Sequence, residues 1–166
     1  ISGKHNPYIS SKKFLEEAAI GYNKCYDVQS IIIRPETVWG ENESFTRVIP
    51  NWISKAHNNE DIIVYGDIEK ELSPLHVIPF CEEIIDIIDH FEDNLDTMYE
   101  PISITGPIQK VTDIIETIKK ITNSKSKIIY APAETQQPQR CEDTENTLRI
   151  EYDFAEAINN FVKDKF

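Results

Sequence analysis

Three observations predict an α/β fold for this chain. Short runs of β-branched residues alternate with segments of helical periodicity along its whole length. The run Ile31-Ile32-Ile33 is apolar at consecutive positions, as in a parallel strand covered on both faces. A long helical segment feeds directly into that run, which makes half of a βαβ unit.

The elements follow in order. Asn6 is a natural helix N-cap, and Pro7 suits the first helical position, where no N–H is needed. From Pro7 to about Tyr26, residues Leu15, Ala18, Ala19, Tyr22 and Tyr26 recur at three- and four-residue spacings and form one apolar stripe. Val28 to Ile33 reads as a buried strand. It runs into Arg34-Pro35-Glu36-Thr37-Val38-Trp39-Gly40, where Pro35 is expected to stop the ladder and Gly40 to permit a sharp turn. Ligands of open α/β sheets bind beyond the carboxyl ends of strands, so this loop is a candidate site wall, or else an ordinary strand exit. A helix from about Thr46 to His57 turns Val48, Ile49, Trp52, Ile53 and Ala56 to one side. A strand at 62–65, a loop at 68–74 and an extended piece at 75–78 come next. A helix over 80–91 should bury Ile84, Ile85, Ile87 and Ile88. A strand at 101–104, a helix at 111–121 and a strand at 127–130 follow. Residues 131–147 are polar and irregular, and Asp153 caps a last helix from Phe154 to about Val162.

Composition narrows the function. A chain of 166 residues makes one domain or half of a larger one, and 40% hydrophobic residues suffice for a core. A formal charge of −12 argues against a nucleic-acid partner, which needs a basic patch. Cys25, Cys81 and Cys141 are odd in number and far apart, so neither a disulfide framework nor a zinc site is indicated, and a reducing, cytoplasmic setting is expected. The four histidines show no ligand spacing, so no metal is expected. No apolar run is long enough to span a bilayer, so no membrane partner is expected. The chain begins with Ile and enters a helix cap within six residues, which reads as a piece of a longer protein.

Chemistry enters at Tyr8 and Lys12, one turn apart on one helix face. An ammonium beside a phenol stabilises the phenolate, by ~4 kcal/mol at ~4 Å and an effective dielectric of ~20, before desolvation is subtracted. Such a pair suits proton transfer. The bare spacing is weak with seven tyrosines in the chain, and a solvated helix start with an exposed lysine fits it equally.

The ordered set of segments is more specific. Tyr8-x-x-x-Lys12, with Ser11 before the lysine and Pro7 before the tyrosine, resembles the catalytic pair of the extended short-chain dehydrogenase/reductases, in particular the NAD-dependent sugar-nucleotide epimerase/dehydratase family. Arg34 to Gly40 resembles that family's Arg-Pro-x-Asn-Val-Tyr-Gly, and Val48-Ile49-Pro50-Asn51-Trp52-Ile53 its Val-Ile-Pro-x-Phe-Ile. Ile63-Val64-Tyr65-Gly66-Asp67, His76-Val77 and Arg140 with Asp143-Thr144 continue the series in order over nearly the whole chain. The resemblance implies the C-terminal part of a Rossmann-like parallel sheet plus a small α/β substrate-binding lobe, with the N-terminal cofactor half absent. Residues 1–45 would be the remnant of the NAD-binding domain and 46–166 mainly the substrate lobe.

It further implies roles. Tyr8 would be the general acid/base, and Lys12 would hold the nicotinamide ribose and stabilise the phenolate. Pro35 and Val38 would meet the carboxamide end of NAD (or NADP). Thr37, Val48 and Arg140 would line a nucleotide-sugar cleft, although Arg140 reads equally as a surface arginine. A homodimer is possible. Two departures stand out: Lys70-Glu71-Leu72-Ser73-Pro74 replaces the family's Gln-x-Arg-Asp-(Phe/Tyr), so an apolar Leu72 sits where a diphosphate-binding arginine is usual, and Thr37 replaces Asn. No Gly-x-x-Gly-x-x-Gly is present, so the phosphates of the cofactor would be held mostly by the missing half, and residues 1–166 alone should be inactive. The other readings are a reductase of a non-sugar substrate and a non-catalytic dimerisation or binding module on the same fold.

Overall fold

Two apolar clusters organise the chain. A computed structural model describes residues 7–67, 69–90, 100–132 and 143–166. The larger cluster joins Ile49, Trp52, Ile53 and Ala56 to Val111, Ile114, Ile115, Ile118, Phe154, Ile158 and Phe161, with Trp39, Ile62 and Val64 beside them. These side chains belong to three helices, α2 (Val48–His57), α4 (Val111–Ile121) and α5 (Phe154–Lys165), and to strands β2 (Val38–Trp39) and β3 (Ile62–Tyr65). The isoleucines of α4 at 114, 115 and 118 share one face and are all but fully buried, as the three-and-four spacing requires. The smaller cluster is Leu75, Ile87, Ile102 and Ile104, with Ile31, Ile33, Val38, Phe80, Ile84 and Ile150 packed against it.

The sheets are short and largely parallel. β1 (Ile33–Pro35), β6 (Ile102–Thr105) and β9 (Thr147–Arg149) form a three-stranded parallel sheet in the order β1-β6-β9. β2 pairs with β5 (Leu75–His76) and β3 with β8 (Ile128–Ala131), both parallel. β4 (Glu71–Leu72) pairs antiparallel with β7 (Gln109–Lys110). This mixed α/β architecture with parallel pairing is the expected class.

Local departures have physical causes. The isoleucine run is only half-buried, and the regular strand begins at Ile33, because the pairing starts where Ile102 N–H donates to the Ile32 carbonyl at 2.9 Å. Pro35 does not end the ladder: it pairs with Ile104, and Glu36 N–H donates to the Ile104 carbonyl at 2.9 Å. The proline needs no donor there because the parallel ladder uses the donors of its neighbours. The stretch 68–74 is not only a loop, since β4 forms within it against β7. Helix α3 begins earlier, at Val77, because the His76 ring accepts the Ile78 N–H and caps it. Of its four central isoleucines only Ile87 is buried, while Ile85 and Ile88 face outward. β9 was not visible in composition, because Thr147-Leu148-Arg149 has little strand character apart from its partner β6. Helix α1 (Pro7–Tyr26) has the expected bounds, and none of its residues is buried. Asn6 lies outside the described residues.

One close approach sets the joint between the two clusters. A Cβ placed on Gly106 would lie 1.7 Å from the Pro74 carbonyl oxygen, so only glycine fits between β6 and the chain entering β5.

Candidate active site

Tyr8 and Lys12 stand together on α1. The Lys12 Nζ lies 5.5 Å from the centroid of the Tyr8 ring, so both point to the same side of the helix. Ser11 Oγ donates to the Tyr8 carbonyl at 2.7 Å, which spends that hydroxyl on the first helical turn. Tyr8 is 67% exposed, open to a second molecule. α1 is tied to β1 by a two-pronged ion pair: Arg34 donates from Nε at 2.8 Å and from a terminal nitrogen at 2.6 Å to the Glu16 carboxylate. The guanidinium holds the Glu16 carboxyl below its ordinary value, against the opposing effect of partial burial.

The loop after β1 is built on backbone. The Thr37 carbonyl accepts the Leu75 N–H at 3.0 Å, and Val38 and Trp39 pair with Leu75 and His76. Trp39 Nε1–H donates to the Tyr152 hydroxyl at 3.1 Å, and that hydroxyl donates to the Pro74 carbonyl at 2.8 Å. Burial pushes the Tyr152 hydroxyl up to about 12, so it stays a protonated donor. His76 is buried with its Nε2 3.5 Å from Glu41, and burial holds its imidazole below the ordinary value, only partly offset by Glu41. Its role in this packing is structural: it caps α3 and meets the Trp39 ring edge-on at 5.0 Å.

A cleft of about 320 Å³ opens beside this loop. Its walls come from Glu36 and Thr37 after β1, from Tyr65 and Asp67 at the end of β3, from α2 through Val48, Asn51 and Trp52, and from Lys70, Leu72 and Pro74. The cleft therefore touches the carboxyl ends of two parallel strands, where open α/β sheets bind ligands, and its volume is at the low end for small-molecule sites. Burial lowers the Lys70 ammonium from its ordinary value, while the Glu36 carboxylate works in the other direction.

Thr37 and Val48 thus line one cleft. Tyr8, Lys12, Pro35 and Val38 are not among the residues lining it. Arg140 lies outside the described residues. Glu36 lies in the loop the sequence marks as a candidate site wall, whereas sequence reasoning passed over Asn51, Tyr65 and Lys70 as cleft residues. The unusual 70–74 segment was the available signal for Lys70. Among the described residues no three His, Cys, Asp or Glu side chains gather to hold a metal, and no helix is long and apolar enough to cross a membrane.

Comparison with known proteins places this chain in a family. The model of the NAD-dependent epimerase/dehydratase family matches residues 2–98, more than half of the chain. The chain belongs to that family. CDP-abequose synthase of Salmonella muenchen is 28% identical over 147 residues, covering 87% of this chain and 49% of that protein. Among solved structures, the dTDP-glucose 4,6-dehydratase DesIV of Streptomyces venezuelae, solved with NAD, superposes with a TM-score of 0.79 at 16% identity, covering 97% of this chain and 51% of that one. The UDP-N-acetylglucosamine 4-epimerase of Methanobrevibacter ruminantium, in complex with UDP-N-acetylmuramic acid, gives a TM-score of 0.68 at 20% identity over 97% of this chain and 54% of that one. These two share its fold. The chain spans about half the length of each of these three proteins.

The family is NAD-dependent. The donor set on α1 fits the nicotinamide end of that cofactor: an ammonium able to donate to ribose hydroxyls stands beside a phenol, both reachable from solvent. The five glycines, at 3, 21, 40, 66 and 106, make no phosphate-binding loop within this sequence.

Proposed function

We propose that this chain supplies the acid–base pair and the substrate cleft of an NAD(P)-dependent nucleotide-sugar epimerase or dehydratase of the cytoplasm. The observation that carries the reading is the Lys12 ammonium 5.5 Å from the Tyr8 ring, on one face of a helix tied to β1. Residues 1–45 serve the cofactor side and 46–166 mainly the substrate side. NAD, when bound, would supply the hydride acceptor for a sugar carbon, and its reduced form the hydride donor. The Tyr8 oxygen takes the proton of the sugar hydroxyl as that carbon is oxidised and gives it back on reduction. Lys12 donates to the nicotinamide ribose and steadies the phenolate through its charge. Pro35 and Val38 contribute backbone at the carboxamide, while Thr37, Val48 and Arg140 contact the nucleotide sugar. Residues 1–166 by themselves, without a phosphate loop, bind NAD weakly and do not turn over. A homodimer across α1 belongs to the same reading, supported by the exposed Phe14, Leu15 and Tyr22.

The test is Tyr8→Phe in the full-length protein, assayed on UDP-, dTDP-, CDP- and GDP-sugars. Turnover is expected to fall by roughly 10²- to 10⁴-fold with substrate affinity little changed. Turnover within threefold of the parent protein would refute the role given to Tyr8. The apolar Leu72 in the cleft wall favours a second reading, a reductase of a non-sugar substrate. Binding of no nucleotide sugar by an otherwise active enzyme would select it.

A further inference from the structure

We propose that Lys70 is the specificity-determining cation of the cleft, receiving the diphosphate of the nucleotide sugar in competition with the neighbouring Glu36 carboxylate; this rests on the nucleotide-sugar reading above. The three similar proteins named above act on or bind CDP, dTDP and UDP compounds by name, and the common element of these is a diphosphate. Taking a dianion into a cleft walled by Ile49, Trp52, Val64 and Leu72 requires a cation in contact with it. Among the described residues lining the cleft, Lys70 is the only lysine or arginine, and the other charged groups there are the Glu36 and Asp67 carboxylates.

The backbone aims Lys70 inward. Glu69 and Glu71 are exposed while Lys70 and Leu72 are half-buried and line the cleft, the alternation of an extended segment. The segment is held in that phase at several points. Val111 N–H donates to the Lys70 carbonyl at 3.0 Å, β4 pairs with β7, and Lys110 Nζ meets the Glu69 carboxylate at 3.0 Å on the outer side. Asp67 accepts the Glu69 N–H at 2.9 Å and so closes the turn leading into the segment. Lys70 and Leu72 share one face about 7 Å apart along the strand. A four-carbon side chain spans most of that distance, so the ammonium of Lys70 can serve the region beside Leu72.

Two consequences distinguish this arrangement from an arginine fork. A lysine acts as a point charge without bidentate geometry, so Lys70→Arg keeps or improves diphosphate binding. Glu36 competes for the same ammonium, so Glu36→Gln strengthens it.

The experiment is calorimetric titration of the full-length protein and its variants with UDP and dTDP, and with uridine and thymidine as uncharged controls, each variant first matched to the parent in thermal unfolding. Lys70→Met is expected to weaken UDP and dTDP at least tenfold with the nucleosides unchanged within twofold. Lys70→Arg should stay within threefold of the parent, and Glu36→Gln should bind the diphosphates two- to fivefold tighter. Val48→Trp, which fills the cleft, should abolish binding of all four. If Val48→Trp abolishes binding but Lys70→Met changes UDP by less than twofold, the Lys70 proposal fails while the cleft reading stands. If Val48→Trp has no effect, the cleft reading fails and the proposal with it. Equal loss of UDP and uridine in Lys70→Met would make the residue merely structural and also overturn the proposal.

Discussion

Replacing Tyr152 by Phe removes one oxygen and no carbon, so it tests hydrogen bonding without opening a cavity. That oxygen serves two buried groups at once. It accepts from Trp39 Nε1, on a side chain only 1% exposed, and donates to the carbonyl of the buried Pro74. Both partners belong to buried residues. Leaving a buried donor or acceptor unsatisfied costs about 1–3 kcal/mol, so the pair of losses amounts to about 2–6 kcal/mol. The rings should stay in place, since Trp39 and Tyr152 both contact Phe154, at 5.5 and 6.3 Å between centroids. The measurement is urea unfolding at constant m, compared in a cycle with Trp39→Phe and the double variant. The cycle should show a coupling of at least about 0.5 kcal/mol, because Trp39→Phe removes the donor that Tyr152→Phe would strand. A loss below about 0.5 kcal/mol for Tyr152→Phe would refute the reasoning, by showing that those groups find other partners.

Two further perturbations bear on the same joint. Gly106→Ala is expected to cost at least about 2 kcal/mol in urea unfolding, because its Cβ would sit 1.7 Å from the Pro74 oxygen and the backbone of β6 or of residues 74–75 must shift. A change under about 0.5 kcal/mol would mean that the strand gives way freely. His76 makes stability depend on pH: its folded imidazole titrates below the ordinary value of 6.5, so the unfolded chain takes up the proton first. Its effect is absent above about pH 7, and stability declines as pH falls below 6.5, by up to about 1.4 kcal/mol per pH unit, until the folded imidazole also protonates. Measured between pH 7 and 5, the parent minus His76→Asn difference should fall with decreasing pH. A difference that is flat or rises would contradict the sign.

Much of this molecule was legible from side-chain periodicity. The bounds of α1 and α4 were readable because Pro7 starts the first and the isoleucines at 114, 115 and 118 mark one face of the second. The Asp153 cap was readable as well, and its carboxylate accepts the Glu156 N–H at 2.9 Å. Elements that exist only through a partner were not readable. β4, β7 and β9 are two or three residues long and have no apolar signature, so only their pairing defines them. The phase of α3 was misread because four isoleucines within five residues, at 84, 85, 87 and 88, cannot all face inward, and residue type does not say which of them do. That Tyr8 and Lys12 share one face of α1 followed from helical spacing alone. The placement of Lys70 did not, because its direction depends on the alternation imposed by β4.

By itself the sequence determined what local rules control: where the main helices start, which faces are apolar, that a phenol and an ammonium share a turn, and which family segments recur in order. The tertiary structure alone decided which strands pair, that the ladder continues past Pro35, and that residues from 36, 48, 65 and 70 meet in one cleft. The reason is range. Capping and i,i+4 placement are settled within a single turn of chain, whereas a cleft is assembled from segments tens of residues apart. Their meeting depends on how two apolar clusters pack, and no local spacing encodes that.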